Sequence, residues 1–116
     1  MIDVIPELVS LFKQKGINLI NESVSDSVNT YPIITYRERD NSDMAVGDNM
    51  GYSRISFVIN IWAYSLKEIS RISAKIDTIM KSVHFVRDNF TEQNVNELYR
   101  KIATYSRTIK ESYKEE

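Results

Sequence analysis

Residues Tyr52–Ser65 read YSRISFVINIWAYS, and in this stretch Ile55, Phe57, Ile59, Ile61 and Ala63 alternate with Arg54, Ser56, Val58, Asn60, Trp62 and Tyr64. A period of two puts the first set on one side of an extended chain. β-Branched and aromatic residues fill the pattern, so it reads as a long strand with one apolar face. Its length makes it the candidate centre of a sheet.

A helix follows directly. Ser65 and Glu68 form S-x-x-E, the capping-box pattern in which serine accepts the N3 amide and glutamate reaches back to the cap. Leu66, Ile69, Ile72, Ile76, Ile79, Met80 and Val83 then recur at helical spacing, opposite Lys67, Arg71, Lys75, Asp77 and Lys81. The isoleucine stripe is expected to lie across the sheet as core.

Working upstream, Pro32 opens PIITYRER, in which Ile34 and Tyr36 alternate with Ile33, Thr35 and Arg37, so Ile33–Arg39 is expected to be a strand. Between the two strands lies Asp40–Gly51, DNSDMAVGDNMG, with three aspartates, two glycines and no basic residue. A plain hairpin needs only about two to five connecting residues, so this segment reads as a long flexible loop. It is either a disordered tip or a segment that orders on a partner, with Met44, Val46 and Met50 as adaptable contacts. Asp40, Asp43 and Asp48 do not match a calcium loop, because the closing bidentate glutamate is missing.

At the start of the chain, Val4, Ile5, Leu8, Val9, Leu11 and Phe12 form an amphipathic stripe over Met1–Gly16, with Asp3 as cap, Pro6 in the first turn and Gly16 at the stop. Core packing suits this helix better than a membrane surface, since its polar face is thin and mixed in charge. Ile17–Ile20 reads as a short extended piece and Asn21–Thr30 as a loop. Downstream, Val83–Phe90 reads as a strand or a turn into one, and Thr91–Glu97 as a polar loop. Leu98–Ile109 carries both helical and alternating spacing, with Thr104, Thr108 and the aromatics favouring a strand. Lys110–Glu116 reads as a frayed tail. These elements predict one α+β domain over 1–116: two layers, with a mostly antiparallel sheet of about four strands and helices on one face.

Composition narrows function mainly by exclusion. The 116 residues are 42% apolar and 27% charged, an ordinary globular balance. Fifteen Lys and Arg against 16 Asp and Glu give a net charge of −1, with no global footprint for nucleic acid. There is no cysteine, hence no disulfide or thiolate chemistry. Neither a signal peptide nor a membrane span is expected from an N-terminus carrying Asp3 and Glu7. No phosphate-cradling glycine loop, ligand set or nucleophile–base pair stands out. His84, the single histidine, has no partner at a recognisable spacing and reads as structural. The expectation is a protein that is not an enzyme and uses no cofactor or metal. By parity Arg54, Val58, Trp62 and Tyr64 point away from the apolar face, and an outward aromatic and arginine strip suits a protein interface. Base stacking on it is the lesser alternative, since the glycine-aromatic signature of RNA-binding sheets is missing.

In this order, the N-terminal helix, YPIITYRER, the Asp/Asn-rich segment, ISFVINIWAYS, LKEISRISAKIDTIMKSV, HFVRDNF and YRKIATYSRTI resemble the tail terminator (tail-completion) proteins of long-tailed bacteriophages and prophages. The resemblance spans nearly the whole chain and is one of pattern. It implies a two-layer α+β subunit that forms a hexameric ring on the end of the tail tube, stops tube growth and presents a joining surface to the head-side connector. Partners would then be further copies of the chain, the tube protein and a neck protein, with DNA only passing through the lumen, at the neck end of a virion tail assembled in the host cytoplasm. Carried over, Asp43 and Asp48 would suit an acidic lumen and Met44, Val46 and Met50 a contact with tube subunits. The long strand, with Arg54, Trp62 and Tyr64, would supply ring contacts. The chain departs from the pattern at His84, where many relatives place a glycine before the aromatic. A head-completion or neck connector protein, and a small nucleic-acid-binding regulatory module, are the alternatives.

Overall fold

The computed structural model describes residues 4–23, 30–46, 50–95 and 97–111, with only the backbone described at 40–46, 50–53, 95 and 109–111. The chain runs α1 (Ile5–Gln14), β1 (Leu19–Asn21), β2 (Ile33–Val46), β3 (Met50–Ala63), α2 (Leu66–Ser82), β4 (Val86–Val95) and β5 (Leu98–Glu111). The strands form one sheet of five in the order β1-β2-β3-β5-β4, in which β1 is parallel to β2 and every other pairing is antiparallel. The α+β class expected from sequence is the one observed, with five strands instead of four. The additional strand is β1, where Leu19–Asn21 pairs with Ile34–Tyr36.

β3 lies at the centre because its alternation is satisfied on both sides. Ile55, Phe57, Ile59, Ile61 and Ala63 are buried with the helices, sharing one cluster with Leu8 and Phe12 of α1 and Ile69, Ile72, Ile76, Ile79 and Met80 of α2. Phe57 is the hub, with its ring 6.5 Å from Tyr36 and 5.8 Å from Phe85. Burying such side chains stabilises by roughly 1.5–3 kcal/mol each, before the entropic cost of ordering them. Ser65 caps α2 by accepting from Glu68 N at 3.1 Å. Leu66, expected in the buried stripe, is instead half exposed, because it sits at the first helical position beyond the end of β3. The cap of α1 is Val4, without a side-chain bond, and Asp3, expected as the cap, lies outside the described residues.

Both helices stop in the same way. At the end of α1, Gly16 N donates to Lys13 O and Ile17 N to Phe12 O, with Gly16 at φ 84°. Where α2 ends, His84 N donates to Lys81 O and Phe85 N to Met80 O, with His84 at φ 69°. This is the Schellman arrangement, in which the residue after the cap takes the left-handed conformation and the next apolar residue turns back onto the helix. Ile17 and Phe85 are both buried. The turn therefore gives a physical reason for glycine at position 84: a side chain there is strained.

From α2 the chain enters β4 two places from β3, and β5 returns between them, as a split β-α-β connection. Asp77 of α2 ties the layers together by accepting from Tyr105 Oη and Arg87 Nη1, the latter at 2.8 Å. Burial, and then the Asp77 carboxylate, push the Tyr105 hydroxyl well above the ordinary tyrosine range.

Two expected loops are strands. Asp40–Val46 continues β2, past a bulge between Glu38 and Asp40, and Met50 and Gly51 already belong to β3. Only 47–49 of the expected Asp40–Gly51 loop fall outside the described residues. Thr91–Val95 likewise belongs to β4. Neither stretch has an apolar period, since backbone pairing alone can form a strand, and Thr91–Asn94 are all exposed. Val86 (66% exposed) and Phe90 (47%) confirm this for β4, the outer strand. Of the expected tail, Lys110 and Glu111 are paired in β5, and 112–116 lie outside the described residues.

The seventeen residues of α2 span about 26 Å, matching the stretch of β3 from Ile55 to Ala63. Met50–Arg54, with its partners on β2 and β5, therefore extends roughly 15 Å past the helix layer as a three-stranded arm. The molecule accordingly measures 53 × 24 × 24 Å.

Two predictions follow from the helix ends and the Asp77 tie. His84→Gly should stabilise by about 0.5–1 kcal/mol and Gly16→Ala should destabilise by about 1 kcal/mol, read from urea midpoints. An added Cβ at Gly16 meets only Lys75 Nζ, at 3.7 Å, so the cost there is conformational. Tyr105 is harder to ionise folded than unfolded, so its contribution is intact below pH about 10, where an unfolded tyrosine titrates, and declines as pH rises beyond it. Tyr105→Phe should cost on the order of 1–2 kcal/mol at neutral pH and make the alkaline loss of stability shallower.

Candidate functional site

The face of the sheet turned away from the helices is set by the other parity of β3. Cross-strand pairing aligns Ile33 of β2, Trp62 of β3 and Arg100 of β5 in one row, and Thr35, Asn60 and Ile102 in the next. In the first row the Arg100 guanidinium lies 4.7 Å from the centre of the Trp62 ring. Its Nε donates to Asn60 Oδ1 at 2.9 Å, and Asn60 is only 2% exposed. A cation on an indole face contributes about 0.5–1 kcal/mol where solvent reaches it. Here the hydrogen bond to a buried amide also fixes the in-plane orientation of the guanidinium. Tyr64, 61% exposed, extends the patch past the end of β3 and meets Tyr31 edge-on, at 5.1 Å and 67° between rings.

Of the four residues expected to form an interface strip, Trp62 and Tyr64 come together here. Arg54 is exposed on the same face but eight residues back along β3, roughly 26 Å away. Val58 corrects the expectation outright. At 6% exposure it is buried between its cross-strand partners Arg37 and Thr104, so it offers no surface to another molecule. Three members of the patch, Arg100, Asn60 and Tyr31, escaped the sequence reading. The alternation of β5 places Arg100 with Ile102 and Thr104 on one face, but nothing in the one-dimensional pattern gives the register that sets it opposite Trp62.

The second expected site, Asp43, Met44, Val46, Asp48 and Met50, maps to the far end of the arm. Asp43, Met44 and Val46 belong to β2 and Met50 to β3, whereas Asp48 lies outside the described residues. Among the described residues no group of three or more His, Asp or Glu side chains is placed to hold a metal ion. His84 is exposed on the turn after α2.

Two clefts accompany these surfaces. One of about 510 Å³ runs between α1 and the turn into β4, lined by Val4, Pro6, Leu8, Leu11, Val83 and Phe85, with Glu7 and Arg107 at its polar edge. Arg107 Nη1 is held there by Val83 O at 3.0 Å. The other, about 350 Å³, lies beside β1, between Gly16, Asn18, Pro32, Arg71 and Lys75. No helix among the described residues is long and apolar enough to cross a membrane. No protein-family model matches the chain, and no curated protein matches it.

Trp62 is the single tryptophan, so it reports on the patch directly. Arg100→Ala should raise acrylamide quenching of its emission and lower stability by about 1–3 kcal/mol, since it also leaves the buried Asn60 Oδ1 without its donor. An unchanged quenching constant would mean that the guanidinium does not shield the indole in solution.

Proposed function

We propose that this chain is the subunit of a ring that caps a phage or prophage tail tube, ending tube growth and offering the head side a surface to join. The observation that carries this proposal is the pairing of the expected two-layer fold with surfaces at its two ends: a three-stranded arm at one and an aromatic–arginine patch at the other. A subunit that contacts its neighbour through two different surfaces makes a heterologous interface, and such contacts close into rings when the rotation fits. The resemblance of sequence pattern supplies the biological setting.

In this mechanism growth stops by geometry and not by reaction. One side of the closed ring copies the stacking surface of a tube subunit. The other side does not accept a further tube subunit, and the neck protein engages it instead. DNA passes through the lumen without being bound by sequence.

Light scattering over a range of concentration, with and without purified tail tubes, tests the proposal. A multiple of 13.5 kDa corresponding to a hexamer, alone or on tube ends, is expected. A chain that stays monomeric throughout and ignores tubes rules it out. Trp62→Glu should leave the melting transition in place, because Trp62 is only half-buried and lies outside the helix-side core. The same change should weaken ring assembly by on the order of tenfold or more.

A further inference from the structure

β4 is the long outer edge of the sheet. It ends the order β1-β2-β3-β5-β4, runs for ten residues, and its side chains from Val86 to Asn94 are all exposed. The opposite edge, β1, has only three residues. Edge strands are commonly guarded by lysine, proline or a bulge. β4 has neither lysine nor proline, and its bulge lies near the start, between Arg87 and Asn89. Among the described residues no strand covers the N–H and C=O groups on the outer side of Asn89–Asn94. Such a row is a template for another extended chain.

Beside that edge lies a cation without a counter-ion. Lys101 of β5 is 8% exposed and faces the helix side of the sheet, with its Nζ 4.4 Å from the centre of the Phe90 ring. Arg87 lies over the same ring at 4.8 Å. Arg87 is paired with Asp77, but among the described residues no carboxylate pairs with Lys101, not even Glu92 directly across from it. A ring face offsets only part of what it costs to take an ammonium out of water. A carboxylate brought next to Phe90 from outside supplies the rest.

From these placements we infer that two copies pair edge to edge through β4, antiparallel, about a two-fold axis at Thr91. Directly opposite residues in such a pair share a face of the sheet, and the two copies are related by symmetry, so every contact forms twice. With Thr91 at the axis, Glu92 of one copy stands opposite Phe90 of the other. Both are on the helix side, because they align with Lys101 and Ala103 of β5. Opposite Cβ atoms in antiparallel strands are about 5 Å apart, so each Glu92 carboxylate reaches the Lys101 ammonium above the other copy's Phe90. Moving the axis by one residue loses this contact. At Glu92 the two acids oppose each other, and at Phe90 the axis carries Glu92 toward the other copy's Asp88. A head-to-tail ring contains no two-fold contact among its own copies. The pairing is therefore independent of the ring reading and belongs to the free chain, where it covers the open edge.

The chain has no cysteine, so Thr91→Cys places a unique thiol at the proposed axis. Under oxidised glutathione this variant should form a disulfide-linked dimer at least tenfold faster than Thr78→Cys, whose site is exposed on α2. Sedimentation of the unmodified chain at low concentration, without tail tubes, should show monomer and dimer in exchange, with association weakening as salt is raised. Glu92→Lys should weaken that association at least tenfold and slow the Thr91→Cys cross-link to match, with melting curves verifying that each variant folds.

Faster cross-linking by Phe90→Cys than by Thr91→Cys displaces the axis, and the contact between Glu92 and Lys101 falls with it. Association untouched by Glu92→Lys overturns that contact as well. A chain that stays monomeric, or passes from monomer to ring with no dimer and no preferred cross-link at Thr91, overturns the pairing. Binding to tube ends is read separately, so the ring reading stands or falls on its own measurement.

Discussion

Everything in this structure depends on β3 being paired along both edges and buried on both faces. Its backbone is bonded to β2 on one side and β5 on the other for nearly its full length. One face is packed under the helices, and the other holds Ser56, Val58 and Asn60 almost entirely out of solvent. A strand constrained in this way cannot slip by one residue, because a slip would carry Ile55, Phe57, Ile59 and Ile61 to the face where Asn60 and Trp62 lie. The placement of α2 follows, since its isoleucine stripe has one apolar surface to cover. The positions of β4 and β5 follow from where α2 releases the chain.

The helix ends show how tightly that placement is specified. Gly16 and His84 occupy equivalent left-handed positions, and each directs the next residue, Ile17 or Phe85, into the shared core. The Asp77 carboxylate then joins α2 to β4 through Arg87 and to β5 through Tyr105. The helix-covered half is thus crossed by apolar packing and by a polar tie. The arm beyond Ile55 is joined by strand pairing to β2 and β5.

The outward face has two chemically different regions. Around the middle of β3 it is closed, with short side chains low between the neighbouring strands. At the Trp62 end it carries stacked and exposed aromatic groups around a fixed guanidinium. Under the proposed ring function, contact energy concentrates at that end, where an aromatic anchor and an arginine lie together, the combination that dominates many protein interfaces.

The sequence by itself determined the central strand, the helix after it with its serine cap, the N-terminal helix and the α+β class. Each of these buries one side, and burial writes a period of 2 or 3.6 into the residues. It also marked Trp62 and Tyr64 as outward-facing, since parity alone decides that. Only the tertiary structure made strands of Asp40–Val46 and Thr91–Val95, and joined the short extended piece at Leu19–Asn21 to the sheet beside β2. Backbone hydrogen bonds to a neighbouring strand form these segments, and such bonds are available to any residue with an N–H and a C=O, so they leave no pattern in side-chain type. For the same reason Arg100 and Trp62 were invisible as a pair. Thirty-eight positions separate them in the sequence, and only the β3–β5 register, fixed by the burial of the opposite face, places one beside the other.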